Sequence, residues 1–226
     1  ATSPQFFTAL AGRKLAFWKR KPWIMEVRDL WPESIKGVGA MENNIFIKYL
    51  EWEELRCYKK ANGIVSVTES FKNFITQKGI SPEKIRVVKN GIDPSHFVPK
   101  EKNHEILNPL DLSDKFIIGY IGTHGMAHKL DFIIQSASKI KEDNIHFLFI
   151  GDGAEKQNVM NLANDLNINN VTFLDPIPKE KIQDYIASID VALVPLKKSD
   201  LFKTVIPSKI FENAAMLKPI LLGVDG

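Results

Sequence analysis

The stretch GYIGTHGMAHKLD, residues 119–131, leaves a short apolar run, passes two glycines and reaches a lysine where a helix is set to begin. Gly122 and Gly125 would let backbone amides approach an anion, and Lys129 at the helix start would add a cation to the positive end of the helix dipole. That geometry suits a diphosphate. The spacing is neither G-x-G-x-x-G nor that of a P-loop, and the same residues would also make a plain βα turn with a solvated lysine. A second glycine pair, Gly151 and Gly153 in GDGAEK, follows the run HFLFI and reads as tight-turn packing beside the first. In VPLKKSDLFKTVIPSKIFENAAMLKPILLG, residues 194–223, Pro207-Ser208 would open a helix with Lys209 as a further cation and Glu212 one turn on. That carboxylate would form a surface ion pair or accept the two hydroxyls of a ribose. In EVRDLWPES, Arg28 and Asp29 follow an apolar run directly, where a strand end would present them. His124 and His128 lie inside the first loop, as donors to a phosphate oxygen or as solvated spacers.

The whole chain narrows these readings. Its 226 residues are 44% hydrophobic and 25% charged, enough to bury one or two ordinary cores. A net charge of +3 is too small to argue for nucleic acid, and the basic residues gather locally, as in GRKLAFWKRK. The single cysteine, Cys57, excludes an intramolecular disulfide and fits a reducing compartment, where it reads as a small core residue. No apolar run reaches 18 residues and no signal pattern opens the chain, so the expected location is cytoplasmic. Neither D-x-D nor a His and carboxylate cluster with metal spacing is present, and the five histidines are scattered, so no metal and no cofactor are expected.

Loops of this kind belong at the ends of strands, and the chain supplies the strands. Ser3-Pro4 would open a helix that Pro22 ends, before the strand PWIMEV; a helix over residues 43–61 stops at Asn62-Gly63, before GIVSVT. A helix over residues 70–78, a stop at Gly79 and the strand KIRVV lead to a turn at Asn90-Gly91. Between Ile92 and Lys115 the apolar rhythm lapses into a stretch that reads as a linker. Beyond it FIIGYIG, IHFLFIGDG, VTFLD and DVALVPL alternate with helices over residues 129–141, 155–166 and 179–189. Apolar runs without alternation, separated by helices, argue for parallel sheets covered on both faces, and thus for an α/β fold. Ligands in such sheets sit at the carboxyl ends of the strands. At about 100° per residue, the first helix places Phe6, Leu10 and Phe17 on one arc with Arg13, Lys14, Arg20 and Lys21, and Phe7, Leu15 and Trp18 on a core-facing stripe. The first arc reads as a surface for an anionic membrane, or as a face buried under a neighbour.

The block NGIVSVTESFKNFITQKGISPEKIRVVKNGIDPSHFVP, followed by YIGTHGMAHKLD, FIGDG and PSKIFENAAMLKPI in order, resembles the family-4 retaining glycosyltransferases of the two-lobed GT-B fold. EVRDLWPES is similar to the branch that transfers N-acetylated amino sugars, such as N-acetylfucosamine, in surface-polysaccharide assembly. The resemblance implies two Rossmann-like lobes, both incomplete, with the chain lacking segments at either end: residues 1–92 of an acceptor-side lobe, a linker over 93–115, and a nucleotide-sugar lobe over 116–226. It also implies a UDP-linked donor as co-substrate, a lipid-linked saccharide acceptor, retention of configuration, no metal, and a place on the inner face of the plasma membrane.

By position, Lys129 matches the lysine that grips the donor diphosphate, Gly122 lies in the loop beneath it, and Glu212 matches the second glutamate of the E-x7-E element that binds ribose. Three positions depart from the family pattern. Thr123 stands where an arginine is usual, Thr204 where the first glutamate should be, and Arg28, beside Asp29, where a histidine commonly faces the sugar. Lys209 is expected to supply the charge that Thr123 lacks. The implied chemistry has Lys129, Lys209 and backbone amides meeting the charge that grows on the leaving diphosphate, with Arg28 and Asp29 near the reacting sugar. The departures keep two other readings open: a nucleotide-sugar-binding protein without turnover, and an epimerase that hydrolyses a UDP-sugar.

Overall fold

Apolar runs flanked by turn residues become strands, and the amphipathic stretches between them become helices. The computed structural model describes residues 1–3, 6–39, 41 and 44–224. The described residues divide into two compact units, one of Ala1–Asn90 with Ser199–Ile206, the other of Gly91–Lys198 with residues 207–224.

The first unit runs β1 (Thr2–Ser3), α1 (Phe6–Lys19), β2 (Ile24–Val27), α2 (Glu33–Val38), α3 (Ile45–Lys60), β3 (Gly63–Ser66), α4 (Glu69–Gln77) and β4 (Ile85–Val87). The four strands pair in parallel in the order β1-β2-β3-β4, with Met25 opposite Ile64 and Ile64 opposite Ile85. Side-chain caps set the helix starts. The Asn44 side-chain oxygen Oδ1 accepts from the Ile47 amide at 3.0 Å, and the Thr68 hydroxyl accepts from the Phe71 amide at 3.1 Å. Met25, Val27 and Ile64 pack against Phe71 and Ile75 of α4 and Cys57 and Tyr58 of α3. Thr2 and Ser3 form an edge strand where a helix cap was expected; a two-residue strand carries no period to read, and Pro4 lies outside the described residues.

The second unit runs α5 (His104–Leu107), β5 (Phe116–Ile121), α6 (Leu130–Ala137), β6 (Ile145–Ile150), α7 (Lys156–Asp165), β7 (Val171–Leu174), α8 (Ile182–Ser188), β8 (Val191–Pro195), α9 (Lys209–Ala215) and β9 (Ile220–Gly223). Its parallel sheet has the order β7-β6-β5-β8-β9. Successive residues of β6 feed opposite cores: Phe147 and Phe149 join Ile134 and Val159 on one face, while Leu148 and Ile150 join Leu107, Leu112 and Ile117 on the other. Burial on both faces is why this strand reads as an unbroken apolar run. Leu107 and Leu112, inside the stretch expected as a linker, are thus part of this core. From β5 the chain winds outward through β6 and β7, then returns to place β8 on the other side of β5. The carboxyl ends of β5 and β8 are therefore the point where the winding reverses, the usual place for a ligand in such a sheet.

Candidate functional site

Two glycine loops meet above that reversal. Gly122 follows β5 at φ +141°, while Gly151 and Gly153 follow β6 at φ +139° and +154°, conformations that side chains other than glycine rarely adopt. The loops are laced by backbone hydrogen bonds. Gly122 N–H donates to the Ile150 carbonyl at 2.8 Å, His124 N–H to Asp152 at 2.8 Å, and Glu155 N–H to His124 at 2.9 Å. A Cβ on Gly151 would collide with the Gly122 carbonyl, and one on Gly153 would lie 2.5 Å from that of His124. Gly151 and Gly153 thus let the second loop support the first. A cleft of about 280 Å³ opens beside them, lined by Ile121, Gly122, Thr123, Gly151, Asp152 and Ile177.

Lys209, the first residue of α9, lays its side chain on this floor. Its Nζ sits 4.9 Å above the Tyr120 ring and 3.5 Å from the Tyr120 hydroxyl, and its outer methylene and ammonium fill the space that a Gly122 side chain would need. Burial lowers the Lys209 pKa, and nearby Glu212 raises it in part. Burial raises the Glu212 pKa, opposed by Lys209 and Lys179. Ser208 precedes α9 and is exposed, with no side-chain capping bond. Tyr120, which sequence reasoning passed over, donates its hydroxyl to the Thr123 carbonyl at 2.5 Å and so pins the loop beneath Lys209. Two further bonds tie the β5 loop to the end of β8: His128 Nδ1 lies 3.3 Å from the Pro195 carbonyl, and Lys197 N–H donates to Ala127 at 2.7 Å. Lys129 stands immediately before α6 with φ +50°, half exposed, its Nζ 2.6 Å from an Asp131 carboxylate oxygen.

His124 differs from its expected role. Its side chain is fully buried among Tyr120, Phe149 and Phe173, and both ring nitrogens lack a hydrogen-bond partner. Burial, and then Lys156, lowers its pKa to about 4, so the ring is neutral at pH 7. The His124 backbone, rather than its imidazole, serves the loop. Exposed Thr123 offers a hydroxyl at the cleft, in the place where an arginine is usual.

Arg28 and Asp29 belong to the first unit, at the end of β2. Exposed Arg28 donates from Nη2 to the Asn90 side chain at 3.3 Å, and its N–H to Ser3 O at 3.2 Å. Burial raises the Asp29 pKa, with the Ser34 side chain and the Leu30 amide acting against it. Behind them Lys78 Nζ bridges Glu33 at 2.6 Å and Glu54 at 2.5 Å, and the Tyr58 hydroxyl donates to Glu54 at 2.6 Å. Thr204, at the place of an expected glutamate, also lies in this unit. Its hydroxyl donates to Leu201 O at 2.6 Å, and its carbonyl accepts from Thr68 Oγ1 at 3.2 Å.

The expected faces of α1 are partly exchanged. Phe6 is buried and stacks on Trp31 at 4.7 Å, and Arg13 turns inward to Glu53 at 2.7 Å. Phe7, Leu15 and Trp18, expected toward the core, are exposed together with Lys14, Phe17, Arg20 and Lys21. Ala9 and its neighbour Leu10 take the core side instead.

Comparison with known proteins agrees with this architecture. Residues 2–96 match the model of Glycosyltransferase Family 4 and residues 115–223 that of Glycosyl transferases group 1. TuaH of Bacillus subtilis, whose name assigns it as a glycosyltransferase of teichuronic acid biosynthesis, is 26% identical over 199 residues, 88% of this chain and 49% of its own length. Anabaena HepE, solved with UDP and glucose, superposes with a TM-score of 0.76 at 15% identity, over 95% of this chain and 56% of that one. Sucrose-phosphate synthase from Thermosynechococcus elongatus reaches 0.78 at 16% identity, over 96% of this chain and 54% of the other. The chain thus spans about half the length of the relatives it matches. The two matched regions and the two Rossmann-like units support a family-4 glycosyltransferase of the GT-B class.

Proposed function

We propose that the chain is part of a transferase that moves a sugar from a UDP-linked donor to a lipid-linked saccharide acceptor at the cytoplasmic face of the membrane, in polysaccharide assembly. The observation that carries this reading is Lys209 lying on Gly122 where the winding of the second sheet reverses. A glycine floor with a partly desolvated cation above it suits a leaving diphosphate, because the cation's interaction with growing charge strengthens out of water. Lys129 adds a second cation, and Glu212 is assigned to the ribose hydroxyls. The same lysines supply the positive charge that a metal would otherwise bring, so the transfer is read as metal-independent. Arg28 and Asp29 are assigned to the reacting sugar. The sugar is read as an N-acetylated amino sugar from the EVRDLWPES segment, and the transfer as retaining.

The test is UDP release by the full protein from UDP-N-acetyl sugars with a lipid-linked acceptor, before and after EDTA. Release that persists in EDTA is expected; release abolished by EDTA and restored by a divalent cation overturns the metal-free part. UDP at 100 Kd should stabilise the protein by about 2.7 kcal/mol. Exposed Thr123 and the committed hydroxyl of Thr204 favour, as a second reading, a donor-binding protein without transfer. Binding without turnover would select that reading, and free epimerised sugar released without an acceptor would select an epimerase.

A further inference from the structure

The chain carries two Asn-Gly pairs, Asn62-Gly63 and Asn90-Gly91, and the fold treats them in opposite ways. An asparagine before glycine is prone to lose its side-chain amide, because no Cβ on the glycine shields the peptide nitrogen that can attack the asparagine Cγ. That attack still requires a main chain free to turn the nitrogen onto Cγ. The first pair is held away from this geometry. Asn62 clasps Trp23 at both main-chain groups: its N–H donates to the Trp23 carbonyl at 2.8 Å, and its Oδ1 accepts from the Trp23 amide at 2.8 Å. Gly63 is the first residue of β3, in register with Ile24 of β2, so the sheet holds the main chain extended.

The second pair is free to turn. It lies in the irregular stretch between β4 and α5, Gly91 is exposed, and among the described residues its N–H has no hydrogen-bond partner. Nothing stands within 4 Å of where a Gly91 side chain would begin. The Asn90 side chain also meets a cation, since Arg28 Nη2 donates to its Oδ1 at 3.3 Å. That contact lies where negative charge would appear. When a nucleophile adds to Cγ, Oδ1 becomes an oxyanion, and a guanidinium already donating to it stabilises the growing charge.

We propose that Asn90 is a self-modification site, at which the Gly91 nitrogen converts the side-chain amide to a carboxylate with Arg28 assisting. The Gly91 nitrogen, having lost its proton to hydroxide, bonds to Asn90 Cγ; the Cγ–Nδ2 bond breaks, and Nδ2 leaves as ammonia with a proton taken from water. Water then opens the cyclic imide at one of its two carbonyls. Opening at Cγ leaves aspartate, and opening at the main-chain carbonyl leaves isoaspartate, with the chain rerouted through the former side chain. The aspartate product faces Arg28 with a full negative charge in place of a neutral oxygen, and the resulting ion pair holds the guanidinium more firmly than the amide did. Arg28 is assigned to the reacting sugar, so conversion draws it away and lowers turnover. That consequence rests on the assignment of Arg28, whereas the conversion itself does not.

The experiment ages the full protein at mildly alkaline pH, maps its peptides by mass spectrometry and counts isoaspartate with a protein isoaspartyl methyltransferase. Asn90 is expected to convert about tenfold faster than Asn62 in the folded protein, while in urea the two rates should converge. Arg28 is exposed, and Arg28→Ala should slow conversion of Asn90 about tenfold, less than loss of a buried oxyanion donor because water reaches this contact. Gly91→Ala has open space for its methyl group and no positive φ to strain it, so it should suppress conversion with unchanged urea stability. Asn90→Asp should lower turnover about fivefold at unchanged UDP affinity, whereas an unmodified protein that fails to bind UDP would mark failure of the donor reading instead. Equal rates at Asn62 and Asn90 in the folded protein, an inert Asn90 in a chain that converts once unfolded, or a rate unmoved by Arg28→Ala overturns the proposal. Unchanged turnover of Asn90→Asp overturns its effect on Arg28.

Discussion

Lys209 and Lys129 are both cations beside the first glycine loop, yet their surroundings rank them differently. Lys209 is partly desolvated over Tyr120 and its pKa is lowered by burial, so its charge would interact strongly with a diphosphate. Lys129 is half exposed and already paired with Asp131, where water and the carboxylate screen it. Lys209→Ala is therefore expected to weaken UDP binding about 10- to 100-fold, the range of a charge-assisted contact, and Lys129→Ala by only about threefold, both read by titration calorimetry. A larger loss at Lys129 would reverse the assignment. The places of Gly122, Lys209 and Glu212 in the fold were legible in the sequence because each follows a strand or lies in the first turn of a helix at a readable boundary. Tyr120 was not, since inside a strand it looks like core. His124 was misread because what buries it, Phe149 and Phe173, lies on two other strands.

Helix α2 shows what the EVRDLWPES segment does structurally. Glu33, in its first turn, reaches Lys78 at the end of α4, and Lys78 also meets Glu54 of α3, so one ammonium holds three helices against one another behind Asp29. Two carboxylates share that single cation, and burial, followed by the Glu33 charge, pushes the Glu54 pKa up to about 7. Lys78→Met should destabilise by about 2 kcal/mol in urea unfolding. That is less than a fully buried pair would lose, because Lys78 keeps some solvent and Glu54 can hold a proton. Unchanged stability would remove Lys78 from this role. None of this was readable along the chain, because the three partners come from separate helices. Strands such as β5 and β6 were legible because burial on both faces writes an unbroken apolar run. The faces of α1 were not, because large apolar residues occur all round it and only packing against Trp31 and α3 decides which are covered.

At the scale of the whole molecule the two units are expected to answer pH in opposite ways. Glu54, raised from an ordinary 4.5 to about 7, binds its proton more tightly folded than unfolded, so the first unit loses stability as pH rises from about 4.5 to about 7. Raised Asp29 acts in the same sense. His124 and His128, lowered from 6.5 to about 4, bind protons less well when folded, so the second unit gains stability as pH rises from about 4 to 6.5, with Glu212 opposing. Calorimetry at pH 4.5 and 7 should show two transitions moving in opposite directions, and Glu54→Gln should flatten the first. If both move together, or the Glu54 variant keeps its slope, the ionisations named here do not govern stability.

The laced glycine loops carry a consequence for how such a site can change over generations. Because the backbone of one loop occupies the space a side chain on the other would need, a side chain at residue 151 would push directly on the backbone of 122. The two loops, some thirty residues apart, therefore fit as one part, and a graft of either alone would arrive without its counterpart.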